Sequence, residues 1–202
     1  MNNPERFERQ MAFIREIDKE KLIKRQNYIT DGETHEDDAD HAWHMAIMTL
    51  LLKEYSNEDI DVLKTMTMLL THDLVEVYAG DTYAYDEEGK KTQAEREAKA
   101  ADKLYGLLPE DQCEYLKSLW LEFEECKTPE ARFARAMDCF QPVILNDATN
   151  GKAWKEHDVR LSWIMKRNER VHLGSEDIWE YERKKLIDPN VKNGNIIDDN
   201  DN

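Results

Sequence analysis

Two consecutive stretches, residues 39–55 and 56–80, are apolar on nearly every helical face, yet the first carries His41 and the second His72 and Asp73. Helices of that kind are buried on most sides. The chain must therefore wrap further helices round them. Ser56 or Asn57 can cap the second stretch, Glu58 and Asp59 suit its first turn, and Gly80 suits its stop. Seven Gly and five Pro in 202 residues are too few for a turn-rich β-sandwich. The fold class expected is all-α.

The rest of the chain supplies those helices. Phe7, Met11, Phe13 and Ile14 predict an amphipathic helix over 4–17, and a short helix can follow with Leu22 and Ile23 turned inward. Residues 31–40 hold six acids and one Gly and read as a solvated loop whose Asp38 or Asp40 caps the next helix. A loop with two Tyr covers 81–91, and helices are expected over 92–107, 109–126 and 129–148, with Pro109 and Pro129 at first helical positions. Shorter helices fit 156–168 and 176–186. Residues 1–187 thus form one helical domain, and 188–202 an acidic, disordered tail.

Charge and cysteine usage narrow the function classes. With 28 basic against 44 acidic side chains the formal charge is −16, and no basic patch offsets it, so nucleic acid is not an expected partner. Cys113, Cys126 and Cys139 are odd in number and lack CxxC spacing, which excludes a secreted disulfide framework. The N-terminus is charged from its fifth residue, and no apolar run is long enough to span a membrane. A cytoplasmic protein with no membrane association is expected.

The chemistry is expected where polar residues interrupt apolar helices. His41 lies on a face continued by Met45, Met48 and Leu52; His72 and Asp73 break the run TMTMLLTHDLVEV; Asp138 sits in ARFARAMDCF. Each has a plain structural explanation alone: a core histidine, a carboxylate at a helix end, an Asp138–Arg135 pair. Together they offer two nitrogens and two carboxylates, a set that a divalent cation accepts and that offsets both buried charges. Mn, Co, Fe, Ni or Mg would suit it. Glu76 follows His72 by four residues and shares its side of the helix, and Pro142 should kink the helix beside Asp138.

The pattern His41, His72–Asp73, Asp138 resembles the HD superfamily of metal-dependent phosphohydrolases. LIKR at 22–25, ADHAWHMA at 39–46 and HDLVEVYAGD at 72–81 are similar to its 5′-deoxynucleotidase branch, over about residues 7–165. The resemblance implies an HD-type helical bundle with a buried site for one divalent metal ion at His41, His72, Asp73 and Asp138. It implies Glu76 as the catalytic acid/base, Asp81 as a second acidic residue facing the substrate, and Arg25 on the phosphate. The substrate implied is a nucleoside (deoxy)5′-monophosphate, and the protein a homodimer. No His lies between 74 and 137, which favours one metal over the two held by some relatives. Gln26 stands where the deoxynucleotidases carry Trp, and Thr-Tyr-Ala-Tyr follows Asp81 where proline is common. The first departure predicts relaxed sugar selectivity. The alternatives are a nucleotide-binding or sensing protein that keeps the metal without turnover, and a helical interaction protein with structural polar residues.

Overall fold

The chain is described by a computed structural model over residues 3–199. In order it forms α1 (Pro4–Ile17), a 3₁₀ turn (Asp18–Leu22), the strands β1 (Lys24–Tyr28) and β2 (His35–Asp37), and α2 (Asp38–Leu52). After a further 3₁₀ turn (Lys53–Tyr55) come α3 (Val62–Thr71), the 3₁₀ turn Asp73–Val75, α4 (Glu76–Ala79), α5 (Glu87–Tyr105), α6 (Glu110–Glu125) and α7 (Pro129–Ala148). The chain closes with α8 (Lys152–Glu156), α9 (Leu161–Asn168), α10 (Val171–Gly174), α11 (Glu176–Tyr181), a π turn (Glu182–Ile187) and α12 (Asp188–Lys192). The all-α expectation holds, with one antiparallel hairpin added.

Helix α7 organises the core. The Thr128 side chain accepts from the Ala131 amide, and Pro129 takes the first helical position where its missing N–H costs nothing. The helix runs on past Pro142 to Ala148. Its Phe133 and Met137 are fully buried against Met45 of α2, Met68 of α3 and Phe123 of α6. Burial of each such side chain contributes about 1.5–3 kcal/mol. Helix α10 approaches α7 so closely that a Cβ at Gly174 would collide with the Arg132 carbonyl. Phe13, Leu104, Tyr105 and Trp120 form a second cluster that fastens α1 and α5 to α6.

The structure corrects the sequence reading in several places. Residues 24–37 form a hairpin where a short helix and a solvated loop were expected. Asp31 Oδ1 accepts from the Glu33 and Thr34 amides at 2.8 and 2.9 Å, and Ile29 N–H donates to the Thr34 carbonyl at 2.9 Å. The Asp31–Gly32 pair at this tip is a hairpin signal. The α2 cap is Asp37, which accepts from the Asp40 amide, whereas Glu36 and Asp38 are buried.

The long helix expected over 56–80 is divided. Asp61 caps α3, while the Asn57 side chain donates to His172 and Leu173 carbonyls and accepts from the Glu176 amide. Helix α5 starts five residues early because Asp86 accepts from the Glu88 and Gly89 amides. Pro109 is the N-cap of α6 rather than its first residue. The helix expected over 156–168 starts only at Leu161, as α9, and α8 precedes the expected span, ending at Glu156.

The tail expected to be disordered from 188 is folded over its described part. Ile196 is buried, Ile197 bridges to Arg160, and Asn190 Nδ2 donates to Asp147 Oδ1 at 2.6 Å. The Ile196 side chain and the Ile197 backbone anchor the segment, and its Asn190, Asn195 and Asp199 side chains serve as hydrogen-bond partners. Residues 200–202 lie outside the described residues. Among the described residues no helix is long and apolar enough to cross a membrane.

Candidate metal centre

Three elements meet at one point. His41 stands in the first turn of α2, His72 follows the last residue of α3, and Asp73 opens the next 3₁₀ turn. Each offers a ligand atom, and these atoms all lie within 4.8 Å of one another. The two imidazole centroids are 6.1 Å apart. Asp138, in the middle of α7, brings its Oδ1 to 3.4 Å from His41 Nε2. Asp138 thus adjoins the group of three through His41 without belonging to it, and its other oxygen accepts from Arg135 at 3.3 Å.

Both imidazoles are oriented from outside. His41 Nδ1–H donates to Gln141 Oε1 at 2.8 Å, and Gln141 Nε2 donates in turn to Glu36 Oε1 at 2.5 Å and to His44 Nδ1 at 3.0 Å. His72 Nδ1–H donates to the Leu69 carbonyl at 2.9 Å. Each ring therefore turns Nε2 toward the carboxylates, the arrangement that fixes a metal-binding tautomer.

The residues fit a divalent cation. Burial, helped by Arg25, lowers His41 to about 4, so the ring is neutral at pH 7 with its proton on Nδ1. Its bare Nε2 then faces a carboxylate oxygen, two acceptors that need a positive charge between them. His72 Nε2 is buried without a hydrogen bond among the described residues, 3.0 Å from Asp73 Oδ1. Burial opposes charge on His72, but Asp73 outweighs it and holds the imidazole up at about 9. A proton there supplies charge that a bound cation would replace. Burial likewise opposes ionisation of Asp138, yet the positive charges of Arg167, Arg135 and His72 hold its carboxyl well below the ordinary range.

Beside this group lies a cage that sequence reading largely missed. Arg25, on β1, is mostly buried; its Nη1 donates to Asp38 Oδ1 at 3.1 Å and to Asp73 Oδ2 at 3.0 Å, with Glu36 at 3.8 Å. Asp38 precedes His41 by three residues and so shares its helical face, the one signal that could have singled it out. Gln141 stands three residues after Asp138 in the same relation. Neither could be separated from helix polarity without knowing which faces meet.

Glu76 is buried on α4, with Oε2 lacking a partner among the described residues. Burial, reinforced by Asp73, Asp38 and Asp81, pushes its carboxyl well above the ordinary range. Asp81 is raised for the same first reason. Gly80 has φ 74° and ψ 147°, a backbone open essentially to glycine alone, and stops α4 so that Asp81 lines the same cavity as Arg25 and Glu76.

A family model described as HD domain matches residues 17–179. The chain belongs to the HD domain family. It is 32% identical over 140 residues to the 5′-deoxynucleotidase HDDC2 of Dictyostelium discoideum, covering 66% of this chain and 74% of that one. Identity to the protein of the same name from Bos taurus is 31% over 136 residues, covering 66% of this chain and 64% of that one. A crystal structure described as a predicted metal-dependent phosphohydrolase from Magnetospirillum magnetotacticum superposes with a TM-score of 0.90 at 43% identity, covering 95% of each chain. The resemblance expected from the HD pattern holds.

Proposed function

We propose that this chain hydrolyses the phosphomonoester of nucleoside 5′-monophosphates at a site where His41, His72, Asp73 and Asp138 hold one divalent cation. The observation that carries the reading is the pair of imidazoles whose Nδ1 atoms are tied outward while both Nε2 atoms face buried carboxylates. The names of the relatives in Dictyostelium and cattle, 5′-deoxynucleotidase, support the reaction class. When bound, a divalent cation supplies Lewis-acid polarisation of the phosphoryl oxygen and a more acidic water.

The chain's own groups do the rest. Glu76, whose carboxyl burial holds well above the ordinary range, is placed to donate a proton to the leaving 5′ oxygen and take one back in the next cycle. Asp38 is itself pushed up to about 7 by burial and Asp73, and its carboxyl helps to raise that of Glu76. Arg25 holds Asp73 through Nη1 and keeps Nη2 without a hydrogen bond among the described residues, available to a phosphate oxygen. Asp81 faces the substrate beside it. A neighbouring cavity lined by Gln26, Tyr83, Tyr85 and Trp154 suits a nucleoside, with aromatic faces for the base.

The working unit in this reading is a single domain that includes residues 188–199, and the protein is a cytoplasmic homodimer. Trp43, Ile47, Leu50 and Leu51 on α2, with Leu63 and Leu70 on α3, are exposed. An apolar face of that kind suits burial against a second copy.

The test is phosphate release from ribo- and deoxynucleoside 5′-monophosphates with Mn, Co, Fe, Ni and Mg. Turnover on at least one nucleotide is expected, without a strict deoxy preference, because Gln26 leaves open the position where the deoxynucleotidases carry Trp. Absence of turnover with every metal would overturn the activity; a deoxy preference of several orders of magnitude in kcat/KM would overturn the role of Gln26.

A further inference from the structure

Three arginines surround Asp138 and the imidazoles, and they differ in what their donors are doing. Arg25 spends Nη1 on Asp38 and Asp73. Arg135 bonds Asp138, the Phe123 carbonyl and Glu124, with its guanidinium 3.8 Å from the Phe123 ring centroid. Arg167, near the end of α9, makes no side-chain hydrogen bond among the described residues; its Nη2 stands 3.8 Å from Asp138 Oδ1, too far for one. Its side chain is only 25% exposed. Among the described residues no acceptor hydrogen-bonds its five donors, and its nitrogens stay open to the cavities they border, where a ligand can reach them.

The position of Arg167 indicates the ligand. One cavity holds His72, Asp73, Glu76 and Asp138; a second holds Gln26 and the aromatic side chains; a third opens past Arg135 and Lys90. Arg167 is the one described residue that lines all three. A group bound in the first cavity meets the carboxylates of Asp73, Glu76, Asp81 and Asp138. The chain's charge of −16 gives an anion no general attraction. A phosphate therefore needs local cations with free donors, and a planar fork matches two of its oxygens at once.

We infer that Arg167 is a phosphate-binding residue, clamping the substrate phosphate on the Asp138 side of the cavity opposite Arg25. The inference rests on the phosphomonoester reading, and it adds a contact that the HD pattern does not contain. In the sequence alone, an Arg in MKRNER has the look of surface charge on a short helix.

The experiment compares wild type, Arg167→Ala and Arg167→Lys in metal-loaded protein. It measures KM for the best nucleoside 5′-monophosphate, inorganic phosphate binding by calorimetry, and metal content. Loss of a charge-assisted fork should weaken phosphate binding and raise KM about 10- to 100-fold in the Ala variant. The Lys variant, which keeps charge without the fork, should fall between, and it carries the test if the Ala variant folds poorly. Metal content should not change. Unaltered phosphate binding in both variants would overturn the assignment, as would loss of metal, which would make Arg167 a support for Asp138. Failure of the wild type to release phosphate would count against the activity alone, since the calorimetric arm reads Arg167 without turnover.

Discussion

Gln141 Oε1 accepts the Nδ1 hydrogen of His41 at 2.8 Å, and this bond decides which nitrogen of the imidazole is left for a ligand. Gln141 is itself held by Glu36 and His44, so the orientation is imposed by a chain of side chains from β2 and α2. Gln141→Leu removes the acceptor while keeping the volume close. Metal affinity, read by competition with a chelator, should fall about 10- to 100-fold. Gln141→Glu, which restores an acceptor oxygen, should recover part of the loss. Wild-type affinity in the Leu variant would mean that packing alone orients His41.

Asp138 is the carboxylate nearest His41 Nε2. Asp138→Ala should therefore lose stoichiometric metal, measured by elemental analysis after dialysis. It also leaves Arg135 and Arg167 without their carboxylate, so a lower melting temperature is expected alongside. Full retention of metal would remove Asp138 from the ligand set.

Glu76 is expected to act on a proton rather than to hold metal. Glu76→Gln keeps size and hydrogen bonding but cannot exchange a proton, so kcat should drop by about 10²–10⁴. Metal content should stay at the wild-type level. A Gln variant that loses metal would make Glu76 a ligand; one with full activity would shift the proton transfer to another group, with Asp81 next in line.

Much of this site was legible from four residues and one rule: polar side chains on all-round apolar helices need partners. His41, His72, Asp73 and Asp138 broke that pattern visibly. Asp38 and Glu36 did not, because an acidic run beside Gly32 has the composition of a solvated loop, and only the hairpin turns part of it inward. Arg167 was hidden for a similar reason: Lys166, Glu169 and Arg170 around it are charged, and its burial comes from elements distant in sequence. The 188–199 segment was misread because low apolar content hid one docked side chain, Ile196, and the backbone hydrogen bonds of Ile197 to Val159 and Leu161. Helix starts were missed where a different Asp took the cap: Asp61, downstream of Ser56 and Asn57, and Asp86, upstream of residue 92.

Glu182 provides a pH test away from the metal group. It is fully buried in the π turn, Oε1 accepts from Asn168 Nδ2, and Oε2 has no partner among the described residues. Burial raises its carboxyl from 4.5 to about 8, although Asn168 and Arg167 pull the other way. The folded chain thus binds this proton more tightly than the unfolded one. Its contribution is complete below about pH 4.5 and is lost as pH rises to about 8. Glu182→Gln should flatten the fall in melting temperature over that window and leave the protein more stable at pH 8, by on the order of a few kcal/mol. An unchanged pH profile would show that the carboxyl ionises in the fold without cost.

The central claim is that phosphate release depends on a cation held by the paired imidazoles and their carboxylates. Its most direct test is release of inorganic phosphate from a nucleoside 5′-monophosphate by wild-type protein, before chelation, after it, and after return of a single divalent metal. The account predicts turnover that disappears on chelation and returns with about one metal per chain. Turnover that persists in fully stripped protein would contradict it.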